Sequence, residues 1–330
     1  MSALITTDVA EAAAALRNGG LVAFPTETVY GLGADASNDA AVERIYTAKG
    51  RPVVHPVILH VSDVAALDTW ADHVPDYARD LAASHWPGPL TLVLERRAGL
   101  GERAAGGSST IGLRSPSHPV ARALLAAFGG AIAAPSANRF GRVSATTAAH
   151  VVAELAEVLD PSTDRILDGG PCDVGVESTI VDCTGPVPVI LRLGGVAQAA
   201  IEAVVGAAVD LRTAGTTAAP GTLPGHYAPM ARVVLVGRRD VGARAAGLLA
   251  TGRRVGLLAS APAPADLPVG LTVLDSPADV DDFARVLYTR LRDADRAGLE
   301  VLLVVAPPTD GIGAAVIDRL VRAAVGTGPL

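Results

Sequence analysis

Between residues 8 and 205, apolar positions switch repeatedly between helical spacing and short unbroken runs. Val9, Ala13 and Leu16 recur at helical spacing over 8–17, and Gly19-Gly20 stops that helix. The run "LVAF" (21–24), broken by Pro25, predicts a strand. Further strands are predicted at "VILHV" (57–61), "LTLVLE" (90–95), "TIGLR" (110–114), "AIAA" (131–134), "STIVDC" (178–183) and "PVILRL" (188–193). Helices fall between them. One near 39–48 opens at Asn38 or Asp39 and ends at "KGRP", and others lie near 75–84, 118–128, 146–158 and 197–205. This alternation predicts an α/β fold.

Near residue 206 the pattern stops. "AGTTAAPGTLPGHYAPM" (214–230) is rich in Gly, Pro, Thr and Ala and has no hydrophobic period, which predicts a linker or an ordered crossing loop. A second alternation follows. Strands are predicted at "RVVLVG" (232–237), "RVGLLA" (254–259), "LTVL" (271–274) and "EVLLVVAP" (300–307), with helices near 240–251, 278–293 and 312–325. Val280, Phe283, Leu287 and Leu291 share one face of the middle helix. This half predicts a small doubly wound domain, but no G-x-G-x-x-G follows its first strand and no dinucleotide is assigned to it. The expected division is 1–206, a linker over 207–231, and 232–330.

Composition narrows the class. A length of 330 residues suits two domains with separate cores. Half of the residues are hydrophobic and only 3% aromatic, so those cores must be built from Ala, Val, Leu and Ile. No apolar run approaches the ~20 residues of a membrane span. The N-terminus shows no basic stretch ahead of an apolar one, and Cys172 and Cys183 form neither a disulfide framework nor a metal-ligand spacing. The expectation is a soluble cytoplasmic protein with no membrane association. A net charge of -7 argues against stable nucleic-acid binding through broad phosphate neutralisation, yet leaves room for a local basic pocket.

Candidate chemistry starts from an oddity. Lys49 is the only lysine, against 26 arginines. A cation at a helix end complements the helix dipole. It can also serve an anion, because an ammonium is a compact point charge where a guanidinium is a planar fork. Gly50 breaks the helix and Pro52 pushes Arg51 toward extended backbone, so Lys49 and Arg51 are expected to face one anion together. Ser136 and Asn138 in "APSANRFGRVSATT" are read as a turn at a strand end. "GGSSTIGLR" offers a Gly/Ser nest or a hairpin loop, with Arg114 at the strand end. No Walker A, G-x-S-x-G or H-E-x-x-H sequence is present.

Taken in order, "GGLVAFPTETVYGLGADA", "KGRP", "HPVILHV", "WPGPLTLVL", "TIGLRSPSHP", "APSANRFG", "ESTIVDC" and "ILRLG" strongly resemble the YrdC-like domain of threonylcarbamoyladenylate synthases. The Lys-x-Arg and Ser-x-Asn signatures of that family fall on Lys49/Arg51 and Ser136/Asn138. The resemblance covers about residues 4–206, and "PGTLPGHYAPM" followed by a Rossmann-like half looks like the long, two-domain form. It implies an open twisted mixed sheet with a central cavity, plus a smaller C-terminal Rossmann-like α/β domain. The implied reaction joins L-threonine, bicarbonate and ATP into threonylcarbamoyl-AMP with release of pyrophosphate. This is the first step of a tRNA modification, and the product passes to a downstream tRNA-modifying transferase.

By the same resemblance Lys49 and Arg51 are catalytic. Arg51, His55, Thr110, Ser136, Asn138, Ser144, Arg192 and Tyr227 fall on the nucleotide side, and Thr28, His60, Arg114 and Ser178 on threonine. Mg2+ is expected to enter with ATP, held mainly by its phosphates rather than by direct protein ligands. His55 departs from the family pattern, which commonly has Asn there. Tyr227 is expected to act as a lid contact over the nucleotide. An RNA-binding module is disfavoured by the charge and the scarcity of aromatics. Carbamoyl transfer, as in maturation factors that embed this domain, is disfavoured because their zinc-finger and acylphosphatase segments are not found in this sequence.

Overall fold

The computed structural model describes residues 4–212 and 227–327. The chain divides into two units: Met1–Phe140, Ser144–Asp173 and Glu177–Thr222 form the first, and Gly141–Val143, Val174–Val176 and Leu223–Leu330 the second. Most of the expected linker, 213–226, lies outside the described residues.

The first unit carries strands β1 (Ile5–Thr6), β2 (Val22–Phe24), β3 (Gly31–Asp35), β4 (Ile58–His60), β5 (Leu90–Glu95), β6 (Thr110–Arg114), β7 (Ile132–Ala134), β8 (Arg165–Leu167), β9 (Thr179–Asp182), β10 (Val189–Arg192) and β11 (Asp210–Leu211). They form one mixed sheet in the order β1-β8-β2-β3-β7-β4-β6-β5-β9-β10-β11. Its last strand lies beyond residue 206, where the sequence pattern suggested the unit would end. The helices are α1 (Val9–Arg17), α2 (Asp39–Lys49), α3 (Ala66–Trp70), α4 (Asp76–His85), α5 (Pro119–Phe128), α6 (Ala148–Leu155) and α7 (Gln198–Val205).

Local chemistry sets the helix ends. Asp8 accepts hydrogen bonds from the Ala10 and Glu11 N–H groups to open α1, and Asn38 accepts from Ala41 N–H to open α2. Gly50 closes α2 in the left-handed region, at φ +62°, which glycine adopts without steric cost. Lys49 is therefore the last helical residue rather than part of an extended segment.

The two faces of the sheet have different cover. On one, Leu59, Leu92, Leu113, Val181 and Ile190 join Ile45 of α2, Leu81 of α4, Val151 of α6 and Ile201 of α7 in the main core. On the other, Val22, Phe24, Ile132 and Leu167 pack beneath Leu16 of α1 and Leu124 of α5. Farther along that second face, Ile58, Thr110, Gly112, Thr91, Val93 and Ile180 line a pocket. Strand alternation places Ile58 and His60 on one face of β4, and Gly112 and Arg114 on the same face of the adjacent β6. The pocket is thus the second face of the sheet beyond the reach of that smaller core.

The second unit contains β12 (Arg232–Leu235), β13 (Val255–Leu258), β14 (Thr272–Asp275) and β15 (Val301–Val304), all parallel, in the order β12-β15-β13-β14. Its helices are α8 (Val241–Leu249), α9 (Val280–Arg296) and α10 (Gly313–Gly326). On α9, Phe283, Leu287 and Leu291 are buried, as the apolar stripe predicts. The short segments 141–143 and 174–176 are bound into this unit. Arg292 donates to the Val143 carbonyl. Gly175, at φ +80°, lies so close to α9 that a Cβ there would meet the Ala284 carbonyl oxygen at 2.4 Å. Asp295 accepts from the Met230 and Ala231 N–H groups at 2.8 Å. Among the described residues, no helix is long and apolar enough to cross a membrane.

Candidate active site

One group of polar side chains gathers where β4 and β6 end. The six residues between β2 and β3, "PTETVY", are held by Thr26, whose hydroxyl donates to the Val29 carbonyl at 2.6 Å and accepts from the Thr28 and Val29 N–H groups. That turn sets Thr28 and Glu27 against Arg114. Arg114 Nη1 donates to Thr28 Oγ1 at 2.9 Å and Nε to the Gly88 carbonyl at 3.3 Å, while Nη2 lies 2.9 Å from Glu27 Oε1. Both members of this ion pair are 4% exposed. His60 pairs in register with Arg114, and its ring stands edge-on to Phe24 at 5.5 Å. Burial, aided by the Arg114 charge, pushes the imidazole down to about 3, so at neutral pH it is uncharged. Glu27 has no precedent in the sequence-based reading, although it stands in the quoted motif beside Thr28.

A second group surrounds the end of α2. Lys49, only 3% exposed, donates to the Ser136 carbonyl at 2.5 Å and to the Asn138 carbonyl. Burial first and the neighbouring Arg51 second hold its ammonium well below the usual lysine range, with Glu154 opposing them. Arg51 donates through Nε to the His55 carbonyl and through Nη2 to the Pro56 carbonyl. Its guanidinium also lies 5.7 Å from the centre of the Phe140 ring, which His55 meets edge-on. Burial and the Arg51 charge lower the His55 pKa, so this histidine departs from ordinary titration near neutrality. The Asn138 side chain donates to the Arg139 carbonyl at 2.8 Å. The Phe140 N–H donates to the Lys49 carbonyl, joining the Ser136–Asn138 turn to the helix end. The two signatures, separated by some ninety residues, therefore meet through backbone carbonyls.

A third group lies at β9 and β10. Ser178 Oγ and Thr91 Oγ1 are 2.8 Å apart, and Arg192 reaches the Ser178 carbonyl at 2.8 Å and its hydroxyl at 3.2 Å. The register between β10 and β9 shifts, so that Ile190 opposes Val181 but Arg192 opposes Ile180. A bulge of this kind re-aims a side chain, and here it turns Arg192 to the pocket face shared with Ile180. Next to Ser178, Glu177 accepts a hydrogen bond from the Ser144 hydroxyl at 2.7 Å. Thr110 begins β6 on the pocket face, within 3.0 Å of the Ser108 hydroxyl. Tyr227 is not among these residues. It belongs to the second unit, where its buried ring stacks on Tyr288 at 5.6 Å and lies 5.2 Å beneath the Arg319 guanidinium.

Chemically, the first unit offers an arginine fork and hydroxyls in a dry setting, a buried ammonium beside a second guanidinium, and a third arginine across the sheet face. No cluster of three His, Cys, Asp or Glu side chains able to hold a metal occurs among the described residues. Cys172 and Cys183 are buried free thiols, both pushed above the usual thiol range by burial.

Comparison with known proteins places this arrangement in a family. Residues 14–194 match the Sua5/YciO/YrdC family, described as "Telomere recombination", and residues 196–325 match "Threonylcarbamoyl-AMP synthase, C-terminal domain". Threonylcarbamoyl-AMP synthase from Pyrococcus abyssi is 41% identical over 94% of this chain and 92% of its own length. The Bacillus subtilis protein of the same name is 39% identical over 96% of this chain and 93% of its own. The crystal structure of Pyrococcus abyssi Sua5 complexed with L-threonine superposes with a TM-score of 0.88 at 38% identity, covering 97% of this chain and 94% of that one. The chain belongs to the Sua5/YciO/YrdC family, in the form that carries the threonylcarbamoyl-AMP synthase C-terminal domain.

Proposed function

We propose that this protein is a threonylcarbamoyl-AMP synthase, which condenses L-threonine, bicarbonate and ATP and releases pyrophosphate. The observation that carries the reading is the meeting of Lys49 with the Ser136–Asn138 turn, with Arg51 beside it against Phe140, in the same unit as the buried Thr28, His60 and Arg114 group. The neutral threonine amine attacks CO2 with loss of a proton, or bicarbonate with loss of water, to form a carbamate, and a carbamate oxygen then attacks the α-phosphorus of ATP as pyrophosphate leaves. No protein nucleophile is needed. Cations must stand where negative charge builds up, and the reactants must be held in line.

In this reading Lys49, Arg51 and Arg192 serve the phosphates, with His55, Thr110, Ser136, Asn138 and Ser144 on the nucleotide side. Arg114 grips the threonine carboxylate through its fork, with Thr28, His60 and Ser178 completing that subsite. Mg2+ would be held by the ATP phosphates rather than by protein ligands and would supply charge neutralisation there, beside Lys49, Arg51 and Arg192. The donor sets fit that arrangement, because Glu27, Glu177 and Glu154 already bind Arg114, Ser144 and Arg139. The adenylate would be handed to a tRNA-modifying transferase. Tyr227 serves as a lid contact only if its ring exchanges Tyr288 for bound nucleotide.

Pyrophosphate release from ATP should require both L-threonine and bicarbonate. Equal release with threonine omitted would refute the assignment.

A further inference from the structure

Arg114 and Glu27 retain hydrogen-bonding capacity that their contacts within the protein leave unused. Two of the Arg114 nitrogens are engaged, Nη1 with Thr28 and Nε with the Gly88 carbonyl. One Glu27 oxygen, Oε2, accepts from the Ser117 N–H at 3.2 Å. The remaining pair, Arg114 Nη2 and Glu27 Oε1, touch at 2.9 Å, yet neither atom has an aligned hydrogen bond among the described residues. The pair therefore presents one donor and one acceptor of opposite charge, side by side and buried. A third buried atom of this kind, His60 Nδ1, sits on the neighbouring strand on an uncharged ring. Buried polar atoms usually find partners, and three left over at one strand end suggest a ligand-binding site.

Charge decides what kind of ligand. Glu27 and Arg114 neutralise each other. A plain carboxylate docked on Arg114 would leave one uncompensated negative charge in a site this dry, which is costly. An α-amino acid brings its own compensation, because its ammonium and carboxylate hang from one carbon and match an acceptor and a donor already in contact. We propose that Glu27 is a specificity-determining residue that accepts the ammonium of the amino-acid substrate, so that the Glu27–Arg114 pair selects a zwitterion over a simple hydroxy acid. This inference rests on the assignment of Arg114 to the threonine carboxylate. The uncharged His60, with an open nitrogen, faces the same place and suits the substrate hydroxyl.

The test is calorimetric binding to the full chain without ATP. The probes are L-threonine, 3-hydroxybutyrate, which lacks the amine, and 1-amino-2-propanol, which lacks the carboxylate. The wild type should bind threonine at least tenfold more tightly than either analogue. Glu27→Gln should lose at least tenfold for threonine while 3-hydroxybutyrate changes little, so the preference collapses. Glu27→Asp should recover part of it. Should Glu27→Gln fail to fold, the analogue comparison on the wild type still decides the matter. Binding of 3-hydroxybutyrate to the wild type within threefold of threonine overturns the proposal, as does an unchanged threonine affinity in folded Glu27→Gln. If Arg114→Lys weakens threonine and Glu27→Gln does not, only the role of Glu27 falls. If threonine fails to bind the wild type at all, the threonine assignment of the site falls with it.

Discussion

Replacing Lys49 by arginine keeps the charge and changes only its shape, which makes it a direct test of why a chain with 26 arginines has one lysine. Lys49 Nζ sits between two carbonyl oxygens, at 2.5 Å from that of Ser136 and in contact with that of Asn138, in a place 3% exposed. A planar guanidinium is larger than the ammonium and cannot lie between those oxygens without moving them. Forcing extra volume into such a place costs about 1–3 kcal/mol, and each carbonyl left without a donor costs a further ~1–3 kcal/mol. The displaced atoms belong to the Ser136–Asn138 turn, so the error is passed to the residues proposed to face the nucleotide. A loss of ~2 kcal/mol in transition-state stabilisation lowers the rate roughly thirtyfold. Threonine- and bicarbonate-dependent pyrophosphate release measures this, with an unfolding midpoint taken alongside to separate loss of fold from loss of rate. Near-wild-type turnover by Lys49→Arg would refute the point-charge argument and leave the lone lysine a compositional accident.

Arg114→Lys should raise the KM for threonine more than that for ATP, since one ammonium cannot serve Glu27, Thr28 and a substrate carboxylate at once; the reverse split in steady-state kinetics would sink the assignment. His60, held uncharged by burial with a pKa of about 3 against 6.5 unfolded, takes up a proton on unfolding below pH 6.5, so its contribution to stability is complete above that pH and lost as pH falls toward 3. Urea unfolding of the wild type should therefore weaken by up to about 1.4 kcal/mol per pH unit across that window from this group, and the slope should flatten in His60→Gln. Gly33→Ala should destabilise the first unit by ~1–3 kcal/mol, because a Cβ there would lie 2.6 Å from Ile132 Cγ2 and 2.8 Å from the Phe24 ring; an unchanged unfolding midpoint would contradict this. If Tyr227 serves as a lid contact, ATP with threonine should slow proteolysis within 214–230, and Tyr288→Ala should alter that protection; identical cleavage in every case removes the lid.

Periodicity made the long elements legible. The helices at 9–17, 39–49, 76–85, 119–128 and 280–296 follow the spacing of their apolar residues, and the apolar strands fall where the runs were. What it missed was short or unusual. β3, "GLGAD", carries no strand signal because glycine is rare inside strands, yet it lies in the middle of the sheet. Its Gly33 is demanded by Phe24 and Ile132, which come from β2 and β7, and that demand exists only after the strands pair. β1, β8 and β11 are only two or three residues long and carry no period at all.

The site residues show a sharper limit. His60 and Arg114 could be placed on one face by counting along their strands, since both strands are regular up to those positions. Arg192 could not. Counting by twos along β10 puts Arg192 on the face of Ile190, which is packed in the main core, and an arginine there would read as an error or a buried curiosity. One extra residue in β10 relative to β9 reverses that face, pairs Arg192 with Ile180 and brings its guanidinium to Ser178. The bulge is fixed by pairing between strands and leaves no mark in the local pattern of apolar residues. The same holds for Glu27. Its identity as an acid is visible in "PTETVYG", but its meaning depends on an arginine 87 residues away that forms a buried ion pair with it. Residues whose role is set by their own strand can be read in advance, whereas those whose role is set by a partner's register emerge only from the assembled sheet.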